Sequence, residues 1–128
     1  MKYLAKIERL SGDVEEEVVL RINGVELICF AAVCPYKIEE GASYQVELTA
    51  QVFNECQVSE LDEEASPSIA QIGDSFSHVI TGRLGGNRLD AGGIVFEDDV
   101  LLSDFGYLEG KMIAWKIDRI DVEFLSDD

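Results

Sequence analysis

From Tyr44 to Val52 apolar and polar residues alternate without a break, with Tyr44, Val46, Leu48, Ala50 and Val52 on one side and Gln45, Glu47, Thr49 and Gln51 on the other. A helix cannot sort these residues into two faces. A two-residue period does so at once, as a β-strand with one face in a core and one in water. Residues 2–10 repeat the pattern, with Tyr3, Ala5 and Ile7 opposite Lys6 and Glu8, and stop at Ser11-Gly12-Asp13. Residues 17–22 and 25–33 flank Asn23-Gly24, the pair that best tolerates the two positive φ angles of a type I′ hairpin turn. In the second arm, Leu27 to Val33 is apolar on both parities, which predicts a central strand covered on both faces.

Further along, Ser59-Glu60-Leu61-Asp62-Glu63 and Ser66-Pro67 resemble helix starts, and a short helix or two is expected within residues 59–72. A second hairpin is expected from residues 76–84 and 88–96 around Gly85-Gly86-Asn87, with Gly92-Gly93 marking a bulge or sharp bend. Near the C-terminus, Ile113, Trp115 and Ile117 share one parity and Ile120, Val122 and Phe124 the other. The inward face therefore switches near Asp118-Arg119, as in a strand that bends at a bulge around a small closed sheet.

These segments predict an all-β chain with one or two short helices, folded as a single domain over residues 1–128 with no dividing linker. In architecture it resembles a small bent barrel, similar to an OB barrel with extra strands at both ends; a β-sandwich is the alternative with the same periodicities. A strand such as 2–10 left at a sheet edge would offer a route to a homo-oligomer.

Charge limits what such a domain can bind. Asp and Glu number 26 against 10 Lys and Arg, a formal net charge of -16. That field repels phosphate backbones and anionic membranes and attracts basic partners. OB barrels that hold single strands combine a basic groove with aromatic platforms. Here no Lys or Arg occurs from Ile38 through Gly82, so nucleic-acid binding is disfavoured. Every apolar run is too short for the roughly 20 residues of a membrane helix. Cys29, Cys34 and Cys56 cannot all pair within one molecule, and no apolar leader follows Met1-Lys2; a reducing, cytoplasmic setting is expected.

No motif organises the reactive residues into a catalytic, cofactor or metal site. The three cysteines and the sole histidine, His78, lack the compact spacing of a zinc knuckle. Ser77 and His78 point to opposite faces of a strand, which separates nucleophile from base. Acids cluster at Glu60, Asp62, Glu63 and Glu64 and at Glu97, Asp98, Asp99 and Asp104, but neither run follows a calcium-loop order.

One loop breaks the rule that connections are polar: Ser103-Asp104-Phe105-Gly106-Tyr107-Leu108-Glu109-Gly110. Phe105, Tyr107 and Leu108 either cap an open end of the core or, with Asp104 and Glu109, anchor a partner that is apolar at its centre and basic at its rim. The function expected from these features is a non-enzymatic acidic protein-binding module, of the inhibitor or immunity kind, for a basic protein. The alternative is a small-ligand-binding or enzymatic barrel. Acidity serving only solubility is the bland counterpart of both.

Overall fold

The computed structural model describes residues 2–53 and 55–126. Five of its strands close into a ring: β1 (Lys2–Leu10), β2 (Glu17–Ile22), β3 (Val25–Val33), β4 (Ser43–Gln51) and β11 (Arg119–Phe124), in the order β1-β2-β3-β11-β4 and back to β1. All neighbours are antiparallel except β3 and β11, which run parallel. The alternating sequences supply the inward face, burying Ile7, Leu20, Leu27, Val46, Val122 and Phe124. Asn23 and Gly24 both adopt positive φ, 51° and 81°, and join β2 to β3 in unbroken register. An irregularity between Ile7 and Arg9 bends β1 around the ring.

Closure places β1 between two neighbours, β2 bonding it over Lys6–Leu10 and β4 over Lys2–Lys6. The expectation that residues 2–10 form an edge strand is thereby corrected. The expectation that β3 is covered on both faces also needs correction at its end. Leu27 and Cys29 are buried and Ile28, Phe30 and Ala31 half-buried, but Ala32 and Val33 stand in solvent.

Between β4 and β11 the chain builds a second, open sheet from β5 (Gln57–Glu60), β6 (Ser68–Gln71), β7 (His78–Gly85), β8 (Arg88–Asp90), β9 (Val95–Glu97) and β10 (Met112–Ile117). Its order is β5-β10-β7-β8-β9, with β6 also bonded to β7. The helices expected within residues 59–72 are therefore strands. Glu60 ends β5, and Asp62, Glu63 and Glu64 fall in a connection closed by Ala65 N–H donating to Asp62 O at 3.0 Å, while the flanking segments add to the edges of β10 and β7. For so short a segment, a ready strand edge outweighs capping signals, because the ladder satisfies its backbone groups and an isolated helical turn nucleates poorly.

The second expected hairpin becomes two. Gly86, at φ 62°, opens the turn from β7 to β8, and Gly92-Gly93, at φ 75° and 102°, make another tight turn from β8 to β9 rather than a bulge. Gly82 has a separate cause: a Cβ there would lie 2.2 Å from the Asp90 carbonyl oxygen. The helical turns occur later, as α1 (Asp99–Ser103) and a 3-10 turn at Gly106–Leu108.

The face switch near Asp118 is the point where the chain leaves the open sheet at Ile117 and re-enters the ring at Arg119. Asp118 secures the crossing, its N–H donating to Gln51 O at 2.9 Å and its Oδ2 accepting from Phe53 N–H at 2.7 Å. One continuous core joins the two sheets, with Trp115, Phe96 and Ile80 of the second packed in the same cluster as Ile22 and Phe124 of the ring. The second sheet thus covers the ring end where Gln51 and Asp118 lie. Connections 11–16 and 34–42 span the opposite end.

Candidate functional site

The corner made by α1 and the 3-10 turn is held from below. Asp98 follows β9, donating its N–H to Asn87 O at 2.9 Å, and caps α1 by accepting from Val100 N–H at 3.0 Å. The 3-10 turn is followed by two bonds back to the sheet and turn: Gly110 N–H reaches Leu84 O at 2.7 Å and Lys111 N–H reaches Leu108 O at 2.9 Å. These ties fix which side chains of the loop point inward.

The structure divides the expected contact residues between the two roles considered for them. Leu108 is 6% exposed and belongs to the core, so it is withdrawn from the contact surface; Phe105 is half-buried against that core. Tyr107 is 78% exposed, its ring centroid 6.5 Å from that of Phe105. Leu102, at 57%, is exposed on the same corner, while Leu101 beside it is buried. Leu102 was not singled out by sequence; the available signal was the pair Leu101-Leu102, of which a short capped helix can bury only one.

Carboxylates flank Leu102 and Tyr107 along the chain. Asp104 and Glu109 are exposed, as the contact reading requires, and so is Asp99 in the first turn of α1. Glu109 accepts from Gly86 N–H at 3.1 Å and Asp99 from Asn87 Nδ2 at 3.3 Å, while no ion pair among the described residues reaches Asp99, Asp104 or Glu109. No Lys or Arg occurs between Arg88 and Lys111. Arg88 pairs with Glu97 at 2.9 Å and Arg83 with Glu63 at 3.3 Å, so the arginines of this sheet are already matched. The field is felt at Cys56, whose pKa is raised first by burial and further by Asp98 and Asp104, against a lowering contribution from the Trp115 indole.

The other reactive residues stay apart. Cys29 is buried in the ring, where desolvation, reinforced by Asp121, pushes its thiol far up; Cys34 is exposed and donates to Tyr36 O at 3.0 Å; Cys56 accepts from Trp115 Nε1 at 3.3 Å. Ser75 Oγ bonds Ile72 O and Ser77 Oγ bonds Asp118 O, so neither hydroxyl engages His78. The His78 ring is 1% exposed, with Nδ1 2.8 Å from Phe76 O and Nε2 without a partner among the described residues. Burial lowers its pKa more than that carbonyl raises it. Among the described residues no group of three or more His, Cys, Asp or Glu side chains is placed to hold a metal ion.

Sequence reasoning missed a cluster at the crossing between the sheets. The Arg119 guanidinium carbon lies 3.9 Å from the Phe30 ring centroid and 5.0 Å from that of Phe53, and Arg119 pairs with Asp121 through Nε at 2.5 Å and Nη2 at 3.1 Å. The Arg119-x-Asp121 spacing on one strand face was the only legible sign, because the aromatic partners come from distant segments.

Fold and corner define an all-β protein with a closed ring, a second sheet and an acidic, aromatic-bearing corner. Residues 1–125 match the family described as uncharacterised conserved protein UCP019853, and the chain belongs to that family. No curated protein and no solved structure matches the chain. Among the described residues no helix is long and apolar enough to cross a membrane.

Proposed function

We propose that this chain is a non-enzymatic acidic protein-binding module, of the inhibitor or immunity kind, whose partner is a basic protein met at the α1 corner. The observation that carries the reading is the Tyr107 ring, 78% exposed on a rigidly tied turn among carboxylates that have no ion pair among the described residues. A tyrosine offers large contact area at low entropic cost, and unmatched negative charge speeds encounter with a cationic surface. Tyr107 and Leu102 are the anchors in this reading, with Asp104 and Glu109 at the rim. A cytoplasmic setting belongs to the proposal and is supported by the three free cysteines.

The closed five-strand ring supports an OB-like barrel as the frame. The same frame serves oligonucleotide binding elsewhere, but a net charge of -16 argues for a protein partner instead. The test is capture from an extract of the source cell at low and high salt. Capture of one basic protein, lost in high salt and in a Leu102→Ala, Tyr107→Ala variant, is the expected result. Capture indifferent to both salt and variant overturns the reading.

A further inference from the structure

The ring has one end covered by the second sheet and one spanned only by connections, and at the second end a cleft of about 520 Å³ opens. Its inner wall is apolar: Val18 is fully buried, and Leu10, Ala31 and Ile38 are half-buried members of the core periphery. The walls are tied in place. Tyr36 Oη donates to Leu125 O at 2.8 Å, Glu39 N–H donates to Tyr44 Oη at 2.9 Å, and Gly41 N–H reaches Ile7 O at 2.8 Å. Across the cleft, Ala31 N–H donates to Glu16 O at 2.7 Å and fixes the connection that carries Glu15 and Glu16. A cleft of this size, preformed and apolar at the mouth of a β-ring, has the usual character of a small-ligand site.

The rim decides what kind of ligand. Glu15 and Glu16 line it with one cation, Lys37, and all three are exposed. Neither Glu15, Glu16 nor Lys37 takes part in an ion pair among the described residues, so two carboxylates face one ammonium in a molecule whose net charge is -16. We infer that this cleft binds a small amphiphilic cation, with its alkyl body against Val18, Leu10 and Ile38 and its ammonium group at Glu15 and Glu16. An anionic amphiphile would place its head group against the net field, and a neutral one would leave the rim charges unused. The site is separate from the α1 corner, and either can operate without the other.

Octylammonium, octanoate, octanol and ethylammonium, each titrated into the whole protein and followed by backbone amide shifts, test the inference. Octylammonium is expected to shift Leu10, Ala31 and Ile38 and to bind at least about tenfold more tightly than octanoate, as charge complementarity requires. Ethylammonium, with too little chain, should bind far more weakly. Glu15→Gln with Glu16→Gln, both exposed and safe for the fold, should weaken octylammonium by about fivefold to tenfold, the yield of two rim-exposed charge pairs, and leave octanol unchanged. The Leu102→Ala, Tyr107→Ala variant should bind octylammonium normally, so failure of the corner and failure of the cleft are told apart. Octanoate or octanol binding as tightly as octylammonium, shifts confined to another face, or no binding by any probe overturns the inference.

Discussion

The ring and the second sheet are built from the same kind of strand and held together differently. Ring strands run six to nine residues, and each is hydrogen-bonded on both sides. In the second sheet β5 and β6 have four residues and β8 and β9 three, and β5, β6 and β9 each bond only one neighbour among the described residues. A closed ring satisfies its backbone from within, and side-chain alternation fixes which face of each strand turns inward. An open sheet of short strands depends on what its neighbours offer. It keeps its edges short, which limits pairing between molecules, and it carries the irregular corner on which the proposed partner docks.

The sharpest challenge to this contrast is Trp115→Ala, at the centre of the second sheet. Because the core is continuous, the loss of about 3–5 kcal/mol expected for a buried aromatic should appear in one urea transition covering both sheets. Two separate transitions would mean that the ring stands without the second sheet. Next in size is Gly82→Ala, where the added Cβ meets Asp90 O, a backbone atom; a loss of about 1–3 kcal/mol is expected, with faster hydrogen exchange across β7 and β8 and little change in the ring.

A smaller effect should follow pH. His78 is buried with an unpartnered nitrogen and a folded pKa below its ordinary 6.5, so the unfolded chain takes up a proton that the folded one resists. Its contribution is unfavourable only on the acid side. Stability should fall as pH drops through about 6.5, the unfolded value, and the slope should end below the folded pKa. Urea midpoints of wild type and His78→Leu across that range check it, and a slope unchanged by the substitution would remove His78 as the cause. In the ring, Gly24→Ala should cost about 1 kcal/mol by forcing a side chain into positive φ, without changing β2–β3 register by amide coupling and exchange patterns. Smallest is Tyr107→Ala, expected to move stability by no more than about 0.5 kcal/mol while abolishing capture of the partner. A large destabilisation would make Tyr107 a packing residue.

Legibility followed the same division. Both arms of the Asn23-Gly24 hairpin and the strand read at Tyr44 to Val52, which the structure places at Ser43–Gln51, could be found because local turn chemistry and a two-residue period pointed to the same answer. The switch at Asp118 was visible as a change of parity, but not that it marks a passage between two sheets. Residues 59–72 misled because Ser59 and Ser66-Pro67 are sound local cues for a helix start, overruled by edges of β7 and β10 that exist only once the sheet has formed. At the corner, sequence marked the loop and its acids. It could not divide Phe105, Tyr107 and Leu108 between core and solvent, because that choice rests on bonds from Gly110 to Leu84 and between Glu109 and Gly86, across more than twenty residues of chain.

Alternation, Asn-Gly and net charge thus determined by themselves an all-β chain, the position of its ring strands and a strongly negative field. Each of these is a local or additive property, written in neighbouring residues or in their sum. Closure of the ring, the second sheet, the exposure of Tyr107 and the cleft at Val18 were decided only by the tertiary structure. They depend on which distant segments meet, and the free energy of that meeting belongs to the pairing of segments rather than to either one alone.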